Sequence, residues 1–288
     1  MMSRSALACV LLLTLAGPCA CQAGPAAAEQ QMQDFSLSGF GEKGKKSWTV
    51  FGKSADISSE VIKLQAIQST LYGDAETVKI TAATGDFNRV RGFLSLNKDV
   101  VVTTASGAPL LTDSLDWDGA TQEVSTPEPV DIRKEGVHII GRGARGLQDR
   151  RSVSILKDVR ASVPMDAPPP GARQMEITCD GPLEFDYAHN VAVFRNNVRV
   201  DTPDGIMTSD LMEAYLVPSE EKNPAPDRGV NPAGSSIKTI VARGNVTVTQ
   251  GLNVSHSEKA VYAQAERKIT LIGKPEVVFY PSEEPSAP

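Results

Sequence analysis

Three aspartates lie close together, and paired carboxylates of this kind can bind a divalent cation or hydrolyse a glycosidic bond. They are Asp113, Asp116 and Asp118. The surrounding residues favour a strand, on which side chains alternate between faces, so we expect Asp113 to point away from the other two. The sequence holds no matching acids or ligand set elsewhere, and we interpret the three as solvated residues near a strand end.

The other side chains that could do chemistry are isolated. His138, His189 and His256 have neither zinc-ligand spacing nor an HExxH sequence. No serine lies in a GxSxG sequence, and no GxxxxGKS or GxxxxGKT phosphate loop occurs. Cys179 has no thiol or histidine beside it, which favours a buried or edge-strand residue over a nucleophile. The sequence therefore predicts no enzyme, no catalytic residue, no metal and no cofactor.

Composition excludes further classes. The 288 residues include 35 acidic and 29 basic side chains, for a net charge of −6, without a clustered basic patch. This argues against a nucleic-acid partner. Hydrophobic residues make up 41% of the chain, enough for a folded core, and the length allows two modest modules or one large β domain.

Residues 1–28 are typical of an export signal. Arg4 supplies a positive charge at the start of the segment. The apolar run from Ala6 to Ala16 is too short for a membrane helix, which needs about 20 residues. Two processing sites remain open: Cys19 or Cys21 becomes the lipidated first residue of a lipoprotein, or cleavage follows Ala28. Both alternatives predict an exported chain.

The rest of the chain alternates apolar and polar residues between Gly, Pro, Asn and Asp turns, which predicts an all-β protein. Even Glu60 to Tyr72, the segment nearest to a helical pattern, favours a strand. The Pro-rich segment 164–173 is predicted to link two modules, 34–163 and 174–280. We expect a long polar loop at 218–236 and a disordered tail at 281–288.

One pattern recurs along the chain: an Asp or Asn, then Val-x-Val, a turn, and an acidic strand start bearing Ser or Thr. Copies begin at Asp99, Asn197 and Asn245, with a truncated copy at Asp158. The valines of each copy share one face, which predicts a continuous apolar stripe inside stacked strands. The stripe is either a sealed core or a groove for a long apolar ligand, and periodicity alone favours the sealed core.

These repeats resemble the Lpt lipopolysaccharide-transport family. The first module is similar to LptC in the segments 48–52, 110–117, 129–132 and 141–147. The second module is similar to LptA, also called OstA, in the segments 183–187, 194–200, 242–248, 260–262 and 273–277. The two modules are separate chains in the family as a rule, whereas they are fused here.

The resemblance implies two open, twisted β-jelly rolls of stacked antiparallel strands in the periplasm. It implies a bridge component that carries lipopolysaccharide from the inner membrane toward the outer membrane, without catalysis. The expected partners, reached by edge-strand addition, are an inner-membrane ABC transporter complex, the periplasmic bridge and an outer-membrane assembly protein. A lipid anchor in the inner membrane goes with the lipoprotein alternative. The residues expected to line the acyl-chain groove are Leu94, Leu96, Val100, Val102, Leu115, Trp117, Phe194, Val198, Val200, Val246 and Val248.

Two other functions stay open on the sequence. A structural envelope scaffold would have a sealed core and no lipid ligand. A polysaccharide-active enzyme would hydrolyse envelope glycans and lose that activity in Asp113→Asn.

Overall fold

The computed structural model describes residues 31–41, 44–73, 77–104, 108–134, 136–147, 152–165, 174–186, 189–218 and 235–279. The export signal with Cys19 and Cys21, most of the Pro-rich segment 164–173, residues 219–234 of the predicted loop, and the tail 281–288 lie outside the described residues. The predictions made for those segments stay predictions.

The described chain is all-β, as predicted, and seventeen strands form one sheet. The strands are β1 (Gln31–Phe40), β2 (Lys46–Asp56), β3 (Val61–Tyr72), β4 (Thr77–Asn88), β5 (Phe93–Thr104), β6 (Leu110–Asp118), β7 (Glu123–Lys134), β8 (Val137–Leu147), β9 (Ser152–Pro164), β10 (Gln174–Cys179), β11 (Leu183–Asp186), β12 (Val191–Thr202), β13 (Gly205–Pro218), β14 (Ser235–Gln250), β15 (Asn253–Ala263), β16 (Lys268–Ile272) and β17 (Glu276–Val278). The strand expected near Glu60 to Tyr72 is confirmed as β3. Within the described ranges, no helix is long and apolar enough to cross a membrane.

Neighbours in sequence are neighbours in the sheet, and every pairing is antiparallel. Each strand from β1 to β8 pairs with the next one along the chain. The short strands β10 and β11 together fill the place between β9 and β12, with Met175 opposite Val163 and Leu183 opposite Ile155. The sheet therefore continues without a break past the Pro-rich segment. It ends with β16 and β17, both of which pair with β15.

The recurring Asp or Asn of the sequence pattern marks a bulge in each strand. Asp99, Asn197, Asn245 and Asp158 all have positive φ, between 46° and 52°. The first three coincide with shifts of register, at Asn97/Val100, Arg195/Val198 and Arg243/Val246. Asn and Asp tolerate the left-handed region better than other side chains, which explains why they recur there. Each bulge bends its strand, and alternation resumes with a buried valine.

The bends fold the sheet back on itself, so that the two halves of the long strand β4 face one another. Trp48 pairs with Leu71 of β3, and Leu71 pairs with Val78, which lies near the start of β4. Its ring nevertheless lies 5.6 Å from the ring of Phe87, near the end of β4. Nine residues of straight strand would separate Val78 from Phe87 by about 30 Å. Contact between the rings therefore requires the folded-back arrangement of an open jelly roll.

The buried residues of the enclosed space form two hydrophobic cores, and half-buried residues connect them, since Val102 of the first core pairs with Leu110, which packs against the second. The first core is built from β1 to β6, and the second from β7 to β15. Between them, Thr112 of β6 and Thr126 of β7 turn their buried hydroxyls inward, 3.4 Å apart. The boundary between the cores thus lies ahead of the Pro-rich segment, and the division into modules at 164–173 stays a prediction.

Candidate functional site

The eleven residues expected to line a groove all face the interior, but they fall into two groups. In the first core, Leu94, Leu96, Val100, Leu115 and Trp117 are buried, and Val102 is half-buried against them. In the second core, Phe194, Val198, Val200, Val246 and Val248 are buried. The structure therefore brings together the members of each group and keeps the two groups apart.

The second core opens to solvent at one end through a pocket. The pocket has a cavity volume of about 80 Å³ and lies between β10, the β12–β13 hairpin, β14, β15 and β16. Val200 and Val248, two of the expected groove residues, form part of its wall. Because both valines also belong to the second core, the pocket is an opening of that core rather than a surface depression.

Methionines are concentrated at this pocket. Three of the seven methionines in the chain, Met165, Met175 and Met207, line it. Methionine side chains are unbranched and flexible, so they adapt to apolar ligands of variable shape. Sequence reasoning did not place these methionines at a site. The alternation of apolar residues along the strands was the available signal, and it does not tell an opening from a sealed interior.

The mouth of the pocket is polar. Thr202, Asp204 and Gln250 lie at the β12–β13 and β14 strand ends, and Arg267 lies in the turn before β16. The Oγ1 atom of Thr202 donates a hydrogen bond to the carbonyl oxygen of Gly205 at 2.9 Å, which holds the hairpin turn. A pocket with an apolar wall and a charged mouth suits a molecule that has both an apolar and a polar part.

The first core has an aromatic cluster at one side. The ring of Trp48 lies edge-on to Phe87 at 5.6 Å and to Trp117 at 6.0 Å. Trp117 is buried, whereas Trp48 and Phe87 are half-buried. The cluster therefore extends from the interior of the first core to the surface.

The aspartates singled out in the sequence do not form a reactive site. Asp116 accepts a hydrogen bond from the Ser95 hydroxyl at 2.7 Å, and Asp118 accepts one from the backbone N–H of Ala120 at 2.8 Å. The expectation that Asp113 points to the opposite face is wrong, because β6 is irregular between Leu111 and Asp116. Thr112 is buried before this irregularity, and Leu115 and Trp117 are buried after it, so the alternation shifts by one residue. All three aspartates therefore lie on the outer face. In the part of the chain that the structure describes, no cluster of three metal-ligating side chains occurs.

The histidines lie on the outer face or in turns. His138 approaches Asp131 at 3.1 Å, and His189 approaches Asp186 at 2.6 Å. The Arg133 guanidinium donates hydrogen bonds to both carboxylate oxygens of Asp131, at 3.0 and 2.8 Å, and this lowers the pKa of Asp131. These contacts are partly exposed, and the one between His138 and Asp131 joins β8 to β7.

Cys179 is a buried, free thiol at the end of β10. Burial raises the pKa of Cys179, so the reactive thiolate is disfavoured. The residue behaves as a small apolar member of the second core.

The sequence model of one protein family, described as "Lipopolysaccharide-assembly, LptC-related", matches residues 6–163. The match spans β1 to β9 and begins within the N-terminal apolar run. No curated protein matches the chain. The family match ends before β10, so the LptA-like character of the second module stays a prediction.

Proposed function

The chain belongs to the LptC-related family of lipopolysaccharide-assembly proteins, which implies a role in lipopolysaccharide transport in the periplasm, and we propose that its interior carries the acyl chains of that lipid. The protein would act as a bridge component, without catalysis, that receives lipopolysaccharide on the inner-membrane side and passes it toward the outer membrane. In this proposal residues 174–280 serve as a second, LptA-like module of the same bridge. The signal at residues 1–28 would direct export, with a lipidated Cys19 or Cys21 as an anchor.

The observation that carries the proposal is the methionine-lined opening of the second core. A sealed scaffold needs no opening of this size, whereas an acyl chain needs a route from water to the apolar interior. Each methylene group removed from water contributes about 0.8 kcal/mol. A chain that enters past Met175 and Met207 therefore gains affinity in proportion to the length buried. The polar mouth at Asp204 and Arg267 leaves the sugar and phosphate part of the lipid at the surface.

The repeat of bulges supports a common design for the two halves of the chain. The same left-handed Asp or Asn precedes a buried valine at Val100 in the first core and at Val198 and Val246 in the second. Both cores are therefore enclosed by strands bent in the same way. This favours the proposal that 174–280 is a jelly roll of the same kind as the family module.

The sheet edges support assembly with other Lpt proteins. Among the described strands, β1 pairs with β2 alone, and β16 and β17 pair with β15 alone. Their outer backbone groups are available to a strand of another jelly roll. The C-terminal edge is also apolar, since Ile272, Val278 and Phe279 are exposed. We propose that this edge continues the bridge.

In-cell photo-crosslinking tests the proposal. A photoreactive residue replaces Val200 in the pocket wall, and the matched control replaces Arg199, which lies next to it on the outer face. Adducts are probed for lipopolysaccharide. An adduct at Val200 and none at Arg199 is the expected result.

Adducts at both positions would indicate adsorption to the surface and contradict a groove. The absence of adducts at Val200, and at Val100 in the first core, would favour the alternative of an envelope scaffold with sealed cores. Release of sugars from envelope glycans by the purified protein would instead favour the enzyme alternative.

A further inference from the structure

Two hairpin turns next to the first core hold apolar side chains out in solvent. Phe40 lies at the β1–β2 turn and is 66% exposed, and Val90 lies in the β4–β5 turn and is 75% exposed. The backbone N–H groups of Val90 and Gly92 donate hydrogen bonds to Asn88, which closes the β4–β5 turn and leaves the Val90 side chain outside. Single exposed apolar residues are common on soluble proteins, so exposure alone does not mark a site.

The charge around these two side chains sets them apart. The same two turns carry exposed basic residues, namely Lys45, Lys46, Arg89 and Arg91. Lys46 pairs with Phe40 across the β1–β2 hairpin, and the two arginines flank the exposed valine. No ion pair joins Lys45, Lys46 or Arg91 to another residue that the structure describes. Cations are thus concentrated here in a chain whose net charge is −6.

A third exposed turn shows that the combination is specific. Leu252 lies in the β14–β15 turn beside the second core and is 64% exposed. Its neighbours Gln250, Gly251 and Asn253 carry no charge. An exposed apolar residue in a hairpin turn therefore does not bring basic residues with it.

The two basic turns lie side by side. Phe40 follows Gly39, and the Trp48 ring lies so close to Gly39 that a side chain there would overlap with it. The same ring lies 5.6 Å from Phe87, which precedes Val90 by three residues. Both turns therefore border the aromatic cluster, and together they form one surface, which we call the tip surface.

Acidic residues in the neighbouring turns do not cancel this charge. They are Asp56, Glu60 and Asp118. The carboxylate of Asp56 accepts a hydrogen bond from the backbone N–H of Ser58 at 3.0 Å, and that of Asp118 accepts one from the backbone N–H of Ala120 at 2.8 Å. Both carboxylates are thus directed at their own turns, and the cations still outnumber the acids.

The N-terminal end of the described chain lies on the same side of the fold. Gln31 pairs with Asp56 at the end of β2. The turn that follows reaches the tip surface, because the Arg89 guanidinium donates a hydrogen bond to the carbonyl oxygen of Ser59 at 3.1 Å. In the lipoprotein alternative, nine residues separate Cys21 from Gln31 and span at most about 35 Å. An anchor at Cys21 would hold this side of the first core near a membrane.

Exposed apolar side chains among cations match an anionic lipid surface. Lysine and arginine are attracted to the negative surface potential of such a membrane, and apolar side chains are buried at the boundary between headgroups and acyl chains. A soluble polyanion would satisfy the cations but would leave Phe40 and Val90 in water. The two exposed apolar residues therefore favour a membrane.

We propose that the tip surface docks the first core on an anionic lipid membrane, with Phe40 and Val90 in the headgroup region and the basic residues on lipid phosphates. The contact is peripheral and concerns the outside of the fold. It is therefore independent of what the interior binds, and its failure would leave the proposed function untouched.

Quenching of tryptophan fluorescence by vesicles with brominated acyl chains tests the proposal, since bromine quenches only a tryptophan that comes close to the hydrocarbon. The protein is the chain that begins at Glu29, the product of the second processing alternative, which contains every described residue and carries no anchor. Phe40→Trp and Val90→Trp place a reporter in each turn. Emission of the two tryptophans of the unaltered chain is measured separately and subtracted. We expect quenching of both reporters on phosphatidylglycerol vesicles.

Two matched controls place the same reporter at other exposed apolar positions. Phe51→Trp lies on the outer face of β2 at a residue that is 50% exposed, and Leu252→Trp lies in the uncharged β14–β15 turn. Neither reporter should be quenched. Far-UV circular dichroism checks that each variant folds, and two reporters in separate turns keep the test decisive if one variant does not.

Removal of the charges tests the second half of the proposal. Lys45→Gln, Lys46→Gln and Arg91→Gln are combined with the reporter at residue 90, and Arg89 is kept because it bonds to the β2–β3 turn. Each basic residue near an anionic surface contributes about a five-fold gain in affinity. The combined variant should therefore need about 100-fold more phosphatidylglycerol for the same quenching.

The other results contradict the proposal. Absence of quenching on phosphatidylglycerol vesicles would overturn docking, and equal quenching of the two control reporters would indicate adsorption without a defined face. Equal quenching on vesicles of pure phosphatidylcholine, or an unchanged lipid requirement after removal of the charges, would overturn the role of the basic residues. None of these outcomes alters the crosslinking expected at Val200.

Discussion

The pocket of the second core can be filled from within by replacing Val248 with phenylalanine. Val248 points inward from β14 and forms part of the pocket wall. The larger side chain adds four carbon atoms beyond those of valine, and these would fill much of the cavity of about 80 Å³. We therefore expect Val248→Phe to fold, with a free energy of unfolding lower than that of the unaltered chain by about 1–3 kcal/mol.

The effect on lipid binding should be much larger. The added ring occupies space that about four methylene groups of an acyl chain would fill. At about 0.8 kcal/mol per buried methylene, the loss is about 3 kcal/mol. Since 1.4 kcal/mol corresponds to a factor of ten, the affinity for lipopolysaccharide at this pocket should fall about 200-fold.

The matched control is Thr247→Phe, one residue earlier on the same strand. Thr247 faces outward and contacts His256. The substitution Thr247→Phe adds an aromatic ring of the same size on the opposite face of the sheet, where the proposal predicts no effect on lipid binding. Displacement of a fluorescent fatty acid by lipopolysaccharide measures the affinity, and urea unfolding measures the stability of both variants.

An unchanged affinity in a folded Val248→Phe protein would refute the argument that acyl chains occupy this pocket. Equal losses in Val248→Phe and Thr247→Phe would also refute it, because the effect would then not depend on the face of the strand.

Three further predictions address the bulges, the outer face and the sheet edge. Asn197→Val should lower the free energy of unfolding by about 1–2 kcal/mol in urea titrations, because φ is +52° and a β-branched residue is strained there, whereas Asn197→Gly should not. Asp131→Asn should destabilise the protein at pH 7 but not at strongly acidic pH. Arg133 lowers the folded-state pKa of Asp131, so the charged carboxylate stabilises the fold above the usual carboxyl pKa of 3.8. This stabilisation is lost as the pH falls through the lowered pKa. Ile272→Lys combined with Val278→Lys should weaken association with the next jelly roll in sedimentation experiments and leave acyl-chain affinity unchanged.

Each of these has an outcome that contradicts it. Equal stability of Asn197→Val and Asn197→Gly would mean that the left-handed backbone is not the cause. A stability difference at Asp131 that persists at strongly acidic pH would point to packing rather than to the carboxylate charge. Loss of lipid binding in the doubly substituted edge variant would show that the edge and the interior are not independent.

The strands and their inward faces follow from the sequence because each depends on local alternation. Val198 and Val200 are buried while Arg199 is exposed, as alternation requires. The sequence also shows the repeated Asp or Asn before Val-x-Val. It does not show that this residue adopts a positive φ at a bulge, since a residue pattern does not specify backbone angles. The same limit explains the error at Asp113, where the irregularity of β6 reverses the alternation.

The division of the interior and its opening depend on contacts between distant segments. Thr112 and Thr126 separate the two cores only because β6 and β7 are adjacent with the hydroxyls turned inward. Met165 joins the pocket because Gln264, far along the chain, donates a hydrogen bond to its carbonyl oxygen at 2.8 Å. A period of two residues contains no information about either arrangement.

The pairing of each strand with its sequence neighbours has a consequence for the order of folding. The buried residues of the first core all come from β1 to β6, and half-buried Val124 of β7 packs against them. A chain that emerges with its N-terminus first can therefore close this core while β10 to β17 are still being delivered. Later strands then add one at a time to an existing edge, and the longest closure is the one between β13 and β14, which 16 residues separate. A nascent chain arrested after β7 should already resist proteolysis over its first six strands.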